Sequence, residues 1–318
     1  MTMDRLYLGI DGGQSSTTAL IAGESGRILG EGRGGPCNHV AAAERQAKFL
    51  RTIGACIADA CQPAGLDAAT VSFAAACFGF SGGAEDKELS LRQLVRSGKY
   101  KFTHDAEIAL TGALAGEPGI IVIAGTGSMA FGRNAFGTTA RAGGWGYLFG
   151  DEGGAFDLAR RALRASLQFE EGWGLHTDLR NLLLQAAGAP DANTLMHRFY
   201  NHFDRAAIAS LAPLVTQAAE QGDHAALEIV DDACRALAWF VQGVHRHLFP
   251  AGESVPVACI GGVFRSALLR SAFAREIQTT LGCHARAPLW GPAAGALLEA
   301  FRLDGNPSPL SGVPEFEK

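Results

Sequence analysis

Asp11-Gly12-Gly13-Gln14-Ser15-Ser16-Thr17 lies between two apolar runs and packs a carboxylate, two glycines and three hydroxyls into seven residues. Backbone N–H groups and hydroxyls in such a hairpin can grip phosphate oxygens, and the Asp11 carboxylate can hold Mg²⁺ through water. A tight turn with a structural Asp explains the segment equally well. The pattern returns as Gly125-Thr126-Gly127-Ser128 after the apolar run Ile120 to Ala124. Two such hairpins carry more weight than either alone, because a triphosphate needs donors on both of its sides.

Asp105 follows the run Tyr100 to Thr103 and precedes a helical segment. A carboxylate there can take the proton of a substrate hydroxyl, or it can cap the helix starting at Ala106. His104 beside it is a possible charge neighbour. Between Gly143 and Gly154, glycines hold Trp145, Asp151 and Glu152 in irregular backbone. An exposed Trp ring suits the C–H face of a sugar, and Asp151 suits paired hydroxyls. The alternatives are a buried Trp and an Asp-Glu helix start favoured by the helix dipole, the latter preferred for Glu152. Gly261-Gly262, closing the run Val257 to Ile260, would let a flat ring lie on bare backbone.

The elements that must position these residues follow from hydrophobic periodicity. Strands are predicted at 6–10, 17–22, 27–32, 71–80 and 100–103, with helices at 40–62, 84–97 and 106–115. A second strand–glycine turn–strand–strand opening covers 120–124, 128–133 and 138–142. Helices follow at about 155–168 and through 177–249, including one from about 223 to 248. A strand at 255–260 and helices at 264–280 and 291–303 complete the pattern, with an irregular tail from Asp304. One Rossmann sheet would lead from its first turn directly into a helix. The repeated opening therefore predicts a duplicated α/β lobe, 1–117 and 118–318, with helix 291–303 able to pack back on the first. A cleft between two such lobes is where a ligand would bind.

The 318 residues fit about two domains. Glycine makes up 41 of them, well above the usual share. The net charge of −5 gives no basic footprint for nucleic acid. Seven scattered cysteines without a Cys-x-x-Cys pair read as reduced thiols. No apolar stretch reaches the length of a bilayer span, so a cytoplasmic protein without a membrane partner is expected.

Taken together, Gly9 to Gly13, Asn38-His39, Gly79 to Gly82, Asp105-Ala106, Gly125 to Ser128, Gly143 to Gly154 and Gly261-Gly262 resemble the BadF/BadG/BcrA/BcrD-type ATPases, and within them the N-acetylglucosamine kinases. The resemblance implies a two-lobe actin/hexokinase-like (ribonuclease H-like) fold with ATP and Mg²⁺ in the interlobe cleft, an amino-sugar substrate and a homodimer. It makes Asp105 the base acting on the sugar 6-hydroxyl. Asn38, Ser81, Gly82, Thr126, Gly127, Gly144, Trp145, Gly146 and Asp151 then line the sugar pocket; Asn38 can also cap the helix beginning near Val40. Gly12 to Thr17 and Gly125 to Ser128 bind phosphate, and Gly261-Gly262 bind adenosine. Many members carry a third Gly and a Thr where this chain has Gln14 and Ser15. Glucosamine kinase is the nearby alternative. The reductase-activating branch, which shares an iron–sulfur cluster between subunits, is the alternative of another class, and a sugar-binding regulator without turnover is a third.

Overall fold

The computed structural model describes residues 5–13, 16–37, 45–82 and 87–317. In chain order the elements are β1 (Leu6–Gly12), β2 (Thr17–Gly23), β3 (Ile28–Gly34), α1 (Arg45–Cys61), β4 (Ser72–Phe80), α2 (Glu88–Leu94), β5 (Arg96–His104) and α3 (Asp105–Ala113). Next come β6 (Gly119–Ala124), β7 (Ser128–Arg133), β8 (Thr139–Gly143), α4 (Ala155–Glu170), α5 (Leu179–Ala187), α6 (Ala192–Asn201), α7 (Arg205–Ala209), α8 (Ala212–Glu220) and α9 (His224–Leu248). The chain ends with β9 (Pro256–Ile260), α10 (Ala267–Leu281), β10 (His284–Arg286) and α11 (Pro292–Asp304).

These elements form two compact units, Met1–Glu117 together with Pro288–Lys318, and Pro118–Ala287. The whole segment 288–318, not only its helix, belongs with the first unit, so a second lobe running to 318 is corrected to one ending at 287. Each unit holds a five-stranded sheet, ordered β3-β2-β1-β4-β5 and β8-β7-β6-β9-β10. In both, the opening three strands are antiparallel and the last two join in parallel. The second sheet thus repeats the first strand for strand.

In the first unit, β1 alternates. Leu8 and Ile10 pack with Phe49 and Ile53 of α1, while Tyr7 packs with Leu297 and Phe301 of α11. Gly9 lies on the α11 side, and a Cβ there would stand 2.4 Å from the Leu297 amide nitrogen. A Cβ on Gly295 of α11 would stand 1.8 Å from the Ile108 carbonyl oxygen of α3. Backbone meets backbone at both places, so no side chain can move aside. Lys101 of β5 pairs with Glu107 of α3 at 2.7 Å and with Glu299 of α11 at 2.8 Å, tying the three elements together.

Two local expectations need correction. The helix predicted over 84–97 is only seven residues long, and the strand expected at 100–103 begins at Arg96. The parallel ladder with β4 starts at Ser72↔Arg96, so pairing takes residues that periodicity assigned to the helix. The tail after Asp304 is largely irregular, yet Ser311 exchanges backbone hydrogen bonds with Ile28 and Gly26 at 2.9 and 3.0 Å. All seven cysteines are buried and unpaired. Among the described residues no helix is long and apolar enough to cross a membrane.

The close approach of α11 yields a paired test. Gly295→Ala should destabilise the protein by about 1–3 kcal/mol, the usual range for overpacking. Gly54→Ala in α1 meets only Leu94 Cδ1 at 3.6 Å, and should be neutral or stabilising by up to about 1 kcal/mol. Urea midpoints of the two variants measure both, and equal midpoints would overturn the backbone-contact argument.

Candidate functional site

Strands β1, β4 and β5 run parallel, with Gly12 opposite Phe80 and Phe80 opposite His104. That register brings Asp11, Ser81 and Asp105 to the carboxyl ends of neighbouring strands, where open α/β sheets take their ligands. Asp105 is the first residue of α3. The capping position belongs to His104, whose side chain makes no capping bond. Asp105 Oδ1 accepts the Ala106 N–H at 2.8 Å, and Oδ2 accepts the Ser81 hydroxyl at 2.7 Å. A carboxylate offers about four lone-pair positions. The helix-start role and an acceptor role are therefore served together, with an oriented lone pair left on each oxygen.

Burial pushes the Asp11 carboxyl up to about 7, and the neighbouring Glu317 and Asp105 carboxylates add to the rise. Glu317 sits in the tail expected to be irregular. Its side chain accepts the Ala294 N–H at 3.0 Å, its carbonyl takes the Gly291 N–H at 2.6 Å, and the N-terminus of α11 is thereby capped. Nothing in the local sequence signalled that role.

Gly13 closes the first hairpin by donating to the Ser16 carbonyl at 2.9 Å, and Ser16 is exposed. Thr17 is different. It is 1% exposed, and its hydroxyl donates to the Gly35 carbonyl at 2.9 Å. It supports the hairpin from behind instead of offering a donor. Gly82 follows Ser81 with a φ of 79°. Gln14, Ser15 and Asn38 lie outside the described residues.

In the second unit, the hairpin Gly125 to Ser128 joins β6 and β7. The Ala155 and Phe156 N–H groups at the start of α4 donate to the Gly125 and Thr126 carbonyls at 2.8 and 3.1 Å. Two of the donors that a helix start leaves without partners are thus satisfied by the hairpin itself. Thr126 is exposed. Ser128 is committed to the loop 143–154: its hydroxyl donates to the Glu152 carbonyl at 2.6 Å and its N–H to Asp151 Oδ1 at 3.3 Å. Gly144 donates in turn to the Ser128 carbonyl at 3.0 Å.

Within that loop Trp145 is 66% exposed, with the Arg141 guanidinium 4.9 Å from its ring centre. The buried-Trp alternative is set aside. Gly146 turns with a φ of 80°. Asp151 is 4% exposed and pairs at 2.8 Å with Arg205, the first residue of α7. Glu152 stands outside α4. The first-turn carboxylate is Asp157, which accepts the Gly153 N–H at 3.1 Å and pairs with Arg160 and Arg161.

A cavity of about 600 Å³ opens beside the hairpin, in the size range of small-ligand sites. Gly125, Thr126 and Gly262 line it, so the second phosphate hairpin and the double-glycine turn meet in one place. Gly261 has a φ of 110°, and a Cβ there would stand 2.4 Å from the Ala124 carbonyl oxygen. The opposite wall comes from α7 and α8, including Ala206, Ser210 and Thr216. Neither that wall nor Arg205 carried a recognisable motif; Asp204, the N-cap of α7, was the only local mark of the helix.

Residues 8–300 match the BadF/BadG/BcrA/BcrD ATPase family. In sequence the chain is 33% identical over 268 residues to the N-acetylmuramic acid/N-acetylglucosamine kinase of Clostridium acetobutylicum, covering 82% of this chain and 86% of that one. A crystal structure from Chromobacterium violaceum, assigned as an N-acetylglucosamine kinase, superposes with a TM-score of 0.72 at 30% identity, over 93% of this chain and 98% of that one. A ROK family glucokinase from Streptomyces griseus, in complex with glucose and AMPPNP, shares the fold at 16% identity and a TM-score of 0.55, over 94% and 99% of the two chains. The protein belongs to the BadF/BadG/BcrA/BcrD ATPase family and has its mixed α/β, actin/hexokinase-like fold.

Proposed function

We propose that this protein transfers the γ-phosphoryl group of ATP to the 6-hydroxyl of N-acetylglucosamine, giving N-acetylglucosamine 6-phosphate and ADP. The observation that carries the reading is the Asp105 carboxylate. It is aimed by Ser81 and by the first turn of α3, in a chain one-third identical to a kinase of that sugar. The O6–phosphorus bond forms, the bond from phosphorus to the ADP oxygen breaks, and the O6 proton passes to Asp105. Phosphoryl transfer asks a protein mainly for positioning and charge stabilisation. Ser81 contributes by fixing the rotation of the accepting carboxylate.

The cavity bounded by Gly125, Thr126 and Gly262 suits adenosine, with the phosphates running along the Gly125–Gly127 backbone. The first hairpin, Gly12 to Ser16, suits the terminal phosphates. Bound Mg²⁺ would neutralise charge on the phosphate oxygens. Asp11 fits it: the residue is half-buried, and its electrostatic neighbours Glu317 and Asp105 are themselves acidic. Among the described residues no three side chains group closely enough to cage a metal, which suits an ion held partly through water.

Trp145 offers an exposed ring for the apolar face of the sugar, and Gly144 and Gly146 offer backbone for the acetamide. Asp151 is the carboxylate that a cationic amine would seek, but Arg205 already neutralises it. This favours the acetamide over the free amine of glucosamine. The redox-activator reading loses support from the thiols, which are all buried and pushed up by that burial. A homodimer in the cytoplasm, where thiols stay reduced, is the corresponding setting.

Three measurements test this reading. Asp105→Asn should bind ATP and sugar normally while kcat falls at least about 100-fold; near-normal turnover in the folded variant would sink the base assignment. In an ADP-release panel, N-acetylglucosamine should exceed glucosamine and glucose in kcat/KM by about tenfold or more, roughly 1.4 kcal/mol. A reversed order would replace the N-acetyl reading with glucosamine, and phosphorus NMR of the product checks the 6-position.

The third concerns Asp11 and pH. A folded-state value near 7 stands above the unfolded value near 3.9. Between these values the unfolded chain has released a proton that the folded chain keeps, so stability falls as pH rises through the window. Relative to Asp11→Asn, the wild type in metal-free buffer should lose thermal stability between about pH 4 and 7 and then level off. Parallel melting curves across that range would show that Asp11 carries no such burden.

A further inference from the structure

Arg205 of α7 is unaccounted for by any motif, yet it reaches both the loop 143–154 and the phosphate hairpin. Its Nη2 donates to Asp151 Oδ2 at 2.8 Å, and its guanidinium carbon stands 5.6 Å from the centre of the Tyr147 ring. Its Nε–H is buried and has no acceptor among the described residues. Buried donors in folded proteins are almost always paired, so an unmet N–H here is a place for a ligand oxygen. Asp151, its partner, has a φ of 66°. Such left-handed backbone is uncommon outside glycine and is kept where the surroundings impose it. Here they do: the Ser128 N–H and Arg205 hold the side chain, and the Gly154 N–H bonds to the Asp151 carbonyl at 3.0 Å.

The pair also presses on the phosphate hairpin. A Cβ on Gly127 would stand 2.5 Å from Asp151 Oδ2 and 2.7 Å from Arg205 Nη2. On its other side, α7 supplies Ala206 and Ala209 to the wall of the nucleotide-sized cavity. Asp204 locks the start of that helix by accepting the Ala206 and Ala207 N–H groups at 2.8 and 3.1 Å. One short helix therefore presents a guanidinium to the sugar loop and methyl groups to the cavity.

We propose that Arg205 is a positioning residue for the sugar: it holds Asp151 in the orientation from which its remaining lone pairs accept sugar hydroxyls. The inference rests on the sugar-kinase reading above. Replacing Arg205 would leave Asp151 buried without its cation and free to turn, so sugar binding suffers first. Asp105 and the nucleotide wall remain, so the chemical step suffers little.

The test is steady-state kinetics of the full chain with N-acetylglucosamine and ATP, for Arg205→Gln, Arg205→Lys, Asp151→Asn and the double variant Arg205→Gln/Asp151→Asn. Arg205→Gln should raise the sugar KM at least tenfold, with kcat and the ATP KM within about threefold of wild type. Arg205→Lys keeps a cation without the fork, so it should fall between the two and supplies the reading if Arg205→Gln does not fold. In the Asp151→Asn background, Arg205→Gln should add less than threefold, because the two residues act as a unit. An unchanged sugar KM, an equal rise in the ATP KM, or fully additive losses would each overturn the proposal. A wild type that turns over no amino sugar would sink the kinase reading itself, whereas normal wild-type turnover with an unaltered variant sinks this inference alone.

Discussion

Backbone has to touch backbone in both units, and the packing of the elements that carry the site depends on that contact. In the first unit Gly9, Gly112 and Gly295 let β1, α3 and α11 approach so closely that a Cβ on any of them would overlap main-chain atoms. In the second, Gly154 lies against Gly127 and Gly261 against Ala124. Each contact removes the space a side chain would fill, so the spacing of these elements is set by main chain. The glycine excess in the composition is the trace of this requirement.

The two sheets share one topology but use it differently. Between β3 and β4 the described residues of the first unit form α1 alone, and its strand ends are flanked by α3 and by the returning α11. Between β8 and β9 the second unit places six helices, α4 to α9. That insertion supplies the cavity wall and brings Arg205 across 54 sequence positions to Asp151. Duplication provides the two hairpins, and the insertion makes the second one different.

This division explains what could be read in the sequence. Strand ends followed by glycine or aspartate are local patterns, so Asp11, Asp105, Gly125 to Ser128 and Gly261-Gly262 were legible and fall at strand ends. Whether a hydroxyl faces a ligand or the core is not a local property. Thr17 and Ser128 look alike in sequence as donors, yet Thr17 turns to Gly35 and Ser128 to Glu152. Arg205 and Glu317 were invisible for a related reason. A five-residue helix has too little periodicity to mark, and a carboxylate at the next-to-last position of a Gly- and Pro-rich tail gives no hint that it caps α11. The overlong helix at 84–97 failed where a ladder with β4 outweighed amphipathic spacing, a contact made only after folding.

The carboxylates Asp151 and Asp11 differ in how their charge is compensated. Asp151 is compensated within its own unit by a guanidinium and a backbone N–H, so it can stay buried before any ligand arrives. Asp11 is placed differently: burial, Glu317 and Asp105 all oppose its ionisation. A group arranged that way is costly to ionise without a cation beside it, and under the proposed function a nucleotide-bound divalent ion would supply one. Under the proposed function, the acidic neighbours that oppose ionisation of Asp11 would favour a cation placed beside it. Neutralising Asp11 with a resident arginine would stabilise the empty protein and remove that preference.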